Sequence, residues 1–361
     1  MDLTLKEKEK ISNVFIPPHL EFFFPKEFEG KKIQLVGEFP RRVEQYEKIA
    51  ECMGFSLRAP LAGIISILNK DKTNTFSLKV SGKNQIINYF RNSNEKKNPD
   101  NLSKESWIDF LNDNGLYSFE YKKTLGEIFK EKIEKIVFLL RDSYAPNFWQ
   151  NLFQHYEKEL YLLKSFFQQN FPNIEIHFYP DISKKNTFYG LNNYQYHYRY
   201  VAYKNKNKNH VKVFSPTTLF ALLRSIYFEE PFTKSIMIFR NYNMESTSIG
   251  FYYHGTNLRE IDLKIPYLVN FTYKDVISLD KEYYFNIYED YYFYFKNIQK
   301  TNFCTGCMIC NNFCPTNANP MSLYETKLYF KKDQCILCGV CEEVCESNLL
   351  IMDKIRYEAS N

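Results

Sequence analysis

The sequence predicts a multidomain protein of α/β and β units that ends in a small cysteine-rich domain. Three observations lead to this fold class. The chain has 361 residues, which is long for a single hydrophobic core. Segments with strand-like and helix-like apolar patterns alternate through its middle part, as they do in α/β domains. Eight of the nine cysteines lie between Cys304 and Cys345, so they belong to one local structure.

The first unit, residues 1–75, is predicted to be a small β module. Over residues 33–68 the apolar runs are short, and each is interrupted by a residue that favours a tight turn. These residues are Gly37, Gly54, Pro60 and Gly63. The polar run 92–101 (NSNEKKNPDN) then predicts an exposed linker.

Residues 100–205 are predicted to form an α/β domain. The expected elements are a capped helix after Ser103, a strand over Ile133–Leu140, a helix over Asn151–Gln169 and a strand over Ile174–Pro180. Strands that alternate with helices of this length are typical of βαβ units, in which the strands pair in parallel.

Residues 211–263 are predicted to form a compact β-grasp-like unit. A strand, a turn and a helix that ends before Pro231 are followed by strands over Ser235–Arg240 and Ile249–Leu258. Residues 264–298, which are crowded with Tyr and Phe, are predicted to be a connector that packs against the last domain.

The last unit, residues 299–357, carries two cysteine runs with one spacing. Each run has the form Cys-x2-Cys-x2-Cys-x3-Cys; Pro315 follows the first, and Glu346 follows the second. This spacing is the bacterial ferredoxin signature, in which three close thiolates hold one [4Fe–4S] cluster and the fourth ligates the other. One cluster is therefore predicted on Cys304, Cys307, Cys310 and Cys345. The second cluster is predicted on Cys335, Cys338, Cys341 and Cys314.

Structural zinc is the competing interpretation of these cysteines. Zinc sites favour pairs of Cys-x2-Cys that are separated by longer gaps, with four ligands for each ion. Two runs of four cysteines fit that pattern poorly. Gly306 and Gly339 allow the backbone to wrap closely around a cluster, whereas the isolated Cys52 is predicted to be a core thiol.

Composition and missing motifs exclude several other classes. The formal charge is +5, but the basic residues are spread along the chain, which argues against nucleic-acid binding. The sequence contains no Gly-x-Gly-x-x-Gly or Walker loop, and no apolar stretch approaches 18 residues. Met1–Lys10 mixes acids and bases and does not resemble a secretory signal, so a reducing compartment is expected. No catalytic residue is predicted.

Several segments outside the cysteine runs match one known family in their order along the chain. They are VGEFPRRVEQYEKIAE, GFSLRAPLAGII, FSPTTLFALLRSI, EEPF, HGTNL, CPTNANPMSLYE and ESNLLIMDKIR. Together with the cysteine runs, they resemble the RnfC family of the Rnf ion-translocating ferredoxin:NAD oxidoreductase complex over nearly the whole chain.

The resemblance implies a more detailed architecture. The first unit would be a barrel-sandwich hybrid, the second a Rossmann-like domain similar to the 51-kDa subunit of complex I, and the third a β-grasp unit of the SLBB type. The family protein is cytoplasmic and peripheral on the inner face of the bacterial cell membrane. Its partners are membrane redox subunits and a soluble electron donor or acceptor, ferredoxin or NAD(H). Its α/β domain binds FMN and NADH.

The sequence departs from the family at the flavin and nicotinamide site. Where the family has a glycine-rich loop after a helix, Asn112–Lys123 (NDNGLYSFEYKK) keeps only Gly115. The family's Asn-Gly-x-Glu-Cys segment is replaced by Leu140–Pro146 (LRDSYAP). Because bulky side chains keep backbone amides away from phosphate, both sites are predicted to be lost or rebuilt. No cofactor-binding residue is assigned outside the cysteines.

Three hypotheses for function follow. The first is an electron-transfer subunit of an Rnf-type complex, which relays electrons through two [4Fe–4S] clusters. The second is a flavin- and NADH-dependent reductase with a divergent pocket. The third is a stand-alone adaptor whose clusters only stabilise the C-terminal fold.

Overall fold

A computed structural model describes most of the chain. It covers residues 15–69, 75–81, 103–141, 146–179, 198–205, 210–240, 247–261, 267–270, 276–278, 282–288, 292–294, 303–325, 329–347, 349 and 351–360. The start of the chain and the predicted linker 92–101 lie outside these residues. The described part is mixed α/β with several sheets, as predicted. None of its helices has the length and apolar character needed to cross a membrane.

The N-terminal part contains two antiparallel sheets. The four-stranded sheet has the order β1-β7-β6-β3, and the three-stranded sheet has the order β2-β4-β5. The strands are β1 (His19–Phe22), β2 (Gln34–Leu35), β3 (Arg41–Val43), β4 (Lys48–Cys52), β5 (Phe55–Arg58), β6 (Gly63–Asn69) and β7 (Thr75–Val80). On β1, Leu20 and Phe22 are buried, whereas His19 and Glu21 are partly exposed, which is the alternation of a half-buried strand. Cys52 is buried, so its prediction as a core thiol is confirmed.

The middle part begins with helix α1 (Lys104–Asp113). The side chain of Ser103 accepts a hydrogen bond from the backbone N–H of Ser106, which confirms the predicted N-cap. Two short strands and a helix follow, and then a three-stranded parallel sheet of order β11-β10-β12. These elements are β8 (Tyr117–Ser118), β9 (Lys123–Thr124), α2 (Leu125–Lys130), β10 (Lys135–Leu139), β11 (Glu175–Tyr179) and β12 (Val211–Phe214).

The helical pattern over Asn151–Gln169 forms two helices, α3 (Pro146–His155) and α4 (Glu157–Asn170). They are separated at Tyr156, whose φ of −104° and ψ of 18° interrupt the helix. Tyr156 is buried against Phe220, with ring centroids 5.6 Å apart. The break therefore places an aromatic side chain in the core, a tertiary effect that periodicity does not reveal.

Strand β12 lies at the start of the unit predicted over 211–263, but it pairs in parallel with β10 of the α/β sheet. Parallel strands need a long crossover connection, and helix α5 (Tyr198–Lys204) lies in the connection between β11 and β12. Helix α6 (Pro216–Phe228) follows β12, and every residue from Pro216 to Tyr227 is buried. It contacts α4, β10 and the next sheet, so it is buried on all sides.

The next sheet has five strands in the order β14-β13-β17-β15-β16. The strands are β13 (Lys234–Arg240), β14 (Thr247–Tyr253), β15 (Tyr267–Asn270), β16 (Val276–Ser278) and β17 (Tyr292–Tyr294). The last three come from the segment predicted to be a connector over 264–298. Their Tyr, Phe and Val residues favour strands, and β17 pairs with β13. The connector therefore extends the preceding sheet.

The C-terminal part is built from short helices. They are α7 (Ile309–Asn312), α8 (Val340–Glu343) and α9 (Ile351–Ser360). Helices α7 and α8 each contain the third cysteine of one run, Cys310 and Cys341, and they contact each other. Helix α9 contacts α8, so the two cysteine runs and the end of the chain pack together.

Glu230 is the centre of a buried ion cluster that joins the N-terminal part to α6 and β13. Its Oε2 atom accepts a hydrogen bond of 2.8 Å from Nε of Arg224 on α6, and its other oxygen pairs with Lys234 on β13. Tyr46 of the N-terminal part donates to Glu230 at 3.5 Å, and Arg224 donates to Tyr156 at 3.3 Å. Burial by itself would raise the pKa of Glu230, but Lys234 and Arg224 lower it below its ordinary value.

We expect Glu230→Gln to destabilise the protein by about 3–5 kcal/mol, because it leaves two buried cations without their counter-charge. Trp107 and Trp149 are fully buried in the α/β part, so their fluorescence during urea denaturation under anaerobic conditions reports the loss. The exposed neighbour Glu229 supplies the control, and Glu229→Gln should have a small effect. Equal stability of the Glu230→Gln variant and the wild type would contradict this role.

Glu27 links the N-terminal part to α2 and makes the stability of the folded protein depend on pH. Its Oε1 atom accepts the backbone N–H of Thr124 at 3.2 Å, and burial raises the pKa of Glu27 from 4.5 to about 7. A raised acid pKa means that the folded state binds this proton more tightly than the unfolded state. The contribution of protonated Glu27 to the stability of the folded state is therefore greatest below pH 4.5, and it is lost as the pH rises through about 7.

Glu27→Gln should remove this pH dependence while keeping the hydrogen bond to Thr124. Relative to the wild type, the thermal midpoint of the variant should rise between pH 5.5 and pH 8.5 (about 1.5 units either side of the shifted pKa). Glu29→Gln, at an exposed position, should follow the wild type. A constant difference between Glu27→Gln and the wild type at both pH values would contradict the assignment.

Candidate metal centre

The eight cysteines of the two runs surround two cavities in the C-terminal part. The first cavity is lined by Cys304, Cys307, Cys310 and Cys345. The second cavity is lined by Cys335, Cys338, Cys341 and Cys314. The structure thus brings the predicted ligands together in the two predicted sets. The fourth cysteine of each run faces the cavity of the other run, which is the arrangement that crossed ligation requires.

The two runs wrap their cavities with the same backbone conformation. The residues before the second cysteine, Gly306 and Leu337, have φ values of 71° and 53°. The residues after it, Met308 and Gly339, have φ values of 59° and 77°. This left-handed conformation suits glycine and strains other residues. Each run thus carries one glycine and one strained residue, and the tight turn directs backbone amides towards the thiols.

Hydrogen bonds to sulfur follow from this wrapping. The amides of Leu337 and Val340 donate to the thiols of Cys335 and Cys338. The N–H of Ala318 donates to Sγ of Cys314 at 3.2 Å. Amides directed at ligand sulfurs stabilise negative charge and tune the potential of a bound cluster.

Two polar side chains at equivalent positions hold the far walls of the cavities. Asn311 follows the third cysteine of the first run, and its Oδ1 atom accepts the N–H of Met321 at 2.9 Å. Glu342 follows the third cysteine of the second run, and its Oε2 atom accepts the N–H of Met352 at 2.8 Å. Neither residue was predicted from the sequence. Their matching places in the two runs, each followed by a methionine at the same spacing, are the signal that could have identified them.

Apolar side chains complete both cavities. Met321, Tyr324, Leu349 and Ile351 line the first cavity. Phe330, Met352 and Ile355 line the second cavity. Ile351, Met352 and Ile355 belong to α9, so one helix supplies walls to both. An apolar shell limits water around a metal centre and thereby controls its electrostatics.

The buried thiols resist ionisation when no cation is present. Burial raises the pKa of Cys310 to about 11, and the nearby Cys345 adds to this increase. Burial also raises the pKa of Cys338 to about 12, with Cys314 contributing. Burial raises the pKa of Cys341 well above its ordinary value. Metal coordination removes the thiol proton and neutralises thiolate repulsion, so these donor sets suit a cationic centre.

The donor sets fit iron–sulfur clusters better than single zinc ions. Each set contains four cysteines, the ligands that [4Fe–4S] clusters use. A zinc ion needs its four ligands about 2.3 Å away, converging on one point. In this structure the four thiols of each set line one cavity, and the fourth thiol comes from the other run, as the crossed ligation of two [4Fe–4S] clusters requires.

A model of one known protein family matches this part of the chain. It is described as a 4Fe-4S dicluster domain, and it covers residues 303–350, which include both cysteine runs. The C-terminal domain is a 4Fe-4S dicluster domain. It supports an iron–sulfur electron-transfer role, and the predicted metal-binding character of this domain is confirmed. No curated protein matches the chain.

The stretch Asn112–Lys123, where the resemblance predicted a glycine-rich loop, is built into the fold. Gly115 has a φ of 64°, and a Cβ atom on it would lie 3.0 Å from the carbonyl oxygen of Ser56 on β5. This glycine therefore serves close packing between α1 and the N-terminal part. Tyr121 accepts the N–H of Val213 on β12 at 2.7 Å. Of the segment Leu140–Pro146, residues 142–145 lie outside the described residues.

Glu120, from the same stretch, places a carboxylate at the N-terminus of α6. Its Oε1 atom accepts the N–H of Ser215 at 2.6 Å and the hydroxyl of Thr218 at 2.9 Å. Helix N-termini attract anions, including the phosphates of nucleotides. Here the chain's own carboxylate occupies this position. Neither FMN nor NADH binding finds support.

Crossed ligation predicts which cysteine variants lose the same EPR signal. Cys314 belongs to the first run, but Cys314→Ala should remove the same EPR signal as Cys338→Ala, because both cysteines line the second cavity. Cys345→Ala should remove the same signal as Cys304→Ala. EPR spectra of the dithionite-reduced proteins test this pairing, with Cys52→Ala as the control that keeps both signals. If Cys314→Ala instead removed the signal that Cys304→Ala removes, each run would bind its own cluster.

Proposed function

We propose that the chain is an electron-transfer subunit of a membrane-associated, Rnf-type ion-translocating oxidoreductase complex, and that it relays electrons through two [4Fe–4S] clusters. The observation that carries the proposal is the pair of four-cysteine cavities in one dicluster domain. The order of the units along the chain, which resembles the RnfC family, supports membership of that complex.

The protein's own residues would act as a holder for the redox groups. Four thiolates bind each cluster, the amides of Leu337 and Val340 offset negative charge, and apolar walls exclude water. When bound, each cluster supplies one-electron redox chemistry. Because the two cavities share walls from α9, the clusters would lie within one small domain and form a short relay.

The two cavities differ in their access to solvent. Cys304 and Cys307 of the first cavity are exposed, and the adjacent Phe303 is 84% exposed. Each cavity also has two buried cysteines, but the other two of the second cavity, Cys314 and Cys335, are only partly exposed. The first cluster is therefore the one placed to exchange electrons with an external protein. The proposed external proteins are the membrane redox subunits of the complex or a soluble partner, either ferredoxin or NAD(H)-linked, at the inner face of the bacterial membrane.

The remaining units are proposed to be scaffold. The N-terminal sheets would correspond to the barrel-sandwich hybrid, the parallel sheet to the Rossmann-like domain, and the five-stranded sheet to the β-grasp unit of the SLBB type. The position of Glu120 at the N-terminus of α6 argues against the flavin- and NADH-dependent reductase, because an anionic ligand there would meet a carboxylate of the same charge.

Anaerobic purification followed by cofactor analysis tests the proposal. We expect about eight iron atoms and eight acid-labile sulfides per chain, as two [4Fe–4S] clusters require. The clusters should undergo reversible one-electron reduction by dithionite, flavin should be missing, and NADH should not bleach the visible absorbance. Purification from gently solubilised membranes should recover redox subunits with the chain.

Other results would redirect the assignment. Bound FMN together with clusters that NADH reduces would establish the reductase with a divergent pocket. Clusters without a reversible redox step would establish the structural adaptor. Zinc without acid-labile sulfide would overturn the cluster assignment itself.

A further inference from the structure

Arg199 brings a permanent positive charge from the α/β part to the second cavity. It lies in the first turn of α5, and its Nη1 atom donates a hydrogen bond to the carbonyl oxygen of Leu337. Leu337 stands between Cys335 and Cys338, at one of the left-handed positions of the second run. The contact therefore joins a distant part of the chain to the loop that wraps the second cavity.

The guanidinium group of Arg199 lies beside the loop that carries Cys335 and Cys338, because it donates to the carbonyl oxygen of Leu337 between them. Both cysteines line the second cavity. The chain from Cys304 to Tyr324, which supplies most of the first cavity, contains no charged residue. The two cavities thus differ in their electrostatic surroundings.

Other charges near the cavities come from the dicluster domain itself. Glu342 follows Cys341, and its carboxylate accepts the N–H of Met352, which lines the second cavity. The ammonium group of Lys354 lies 3.7 Å from the ring centroid of Tyr324, which lines the first cavity. Arg199 differs from both because it belongs to another part of the fold.

We propose that Arg199 is a positioning residue that raises the reduction potential of the cluster in the second cavity and links that cluster electrostatically to the α/β part. The inference rests on the proposed electron-transfer function. Reduction adds one negative charge to a cluster, and a nearby cation stabilises the reduced form relative to the oxidised form. The guanidinium group stays charged at all accessible pH values, so the effect does not depend on pH.

The hydrogen bond adds an orienting role. An interaction with the Leu337 carbonyl holds the loop in its left-handed turn, and thereby holds the amides of Leu337 and Val340 towards the thiols. Arginine presents several donors in a planar fork, whereas lysine presents a compact charge. Replacing arginine with lysine therefore separates the effect of charge from that of orientation.

A redox titration of the anaerobically purified holoprotein tests the proposal. The potential of each cluster is followed by EPR, and the second-cavity signal is identified as the one that Cys338→Ala removes. Arg199→Gln should lower the potential of that cluster and leave the other unchanged. Arg199→Lys should lower it less, because the charge is kept. Raising the salt concentration should narrow the difference between Arg199→Gln and the wild type, since Arg199 is partly exposed.

Lys204→Gln supplies the matched control. Lys204 lies at the other end of α5, so this variant removes the same charge from the same helix and should leave both potentials unchanged. An equal shift of both clusters in Arg199→Gln, no shift at all, or the same shift in Lys204→Gln would overturn the inference. In those cases reversible reduction of both clusters would still support the proposed electron-transfer function. Failure of the wild-type clusters to undergo reversible reduction would contradict that function itself.

Discussion

Gathering four thiolates around one cavity is unfavourable unless positive charge lies among them. In the dicluster domain this constraint appears in the raised pKa values of Cys310, Cys338 and Cys341. Backbone amides offset part of the negative charge, and the strained turns at Met308 and Leu337 are the conformational consequence of directing them inward. Iron completes the compensation, so the local fold and metal binding are expected to be coupled.

The scaffold meets a similar constraint with side chains alone. The carboxylate of Glu230 is 3% exposed and lies between Arg224 and Lys234, which are also almost fully buried. Such a cluster adds little net stability over apolar packing, but losing one member is strongly destabilising. Tyr46 and Tyr156 extend it into two other parts of the chain. The arrangement therefore specifies how the N-terminal sheets, α6 and β13 sit against one another.

Local signals in the sequence predicted local structure well. The capped helix after Ser103 and the strand at β10 needed only a capping residue and an apolar run, and the cysteine spacing identified the dicluster domain. Pairing between segments distant in the chain was harder to predict from the sequence. Adjacency in the chain grouped β12 with the following unit, whereas its hydrogen bonds go to β10. Arg199 beside Leu337 joins residues far apart in the chain, and no short pattern encodes such a contact.

Side chains from Asn112–Lys123 satisfy backbone groups at the edge of the parallel sheet and at the start of α6. Tyr121 satisfies an N–H of the edge strand β12, and Glu120 satisfies the N-terminus of α6. A buried polar group without a hydrogen-bond partner is costly. Side chains from residues 112–123 supply those partners, so the parallel sheet remains stable as a support. Arg199, carried by α5 between two strands of the same sheet, then gives this support an electrostatic connection to the second cluster.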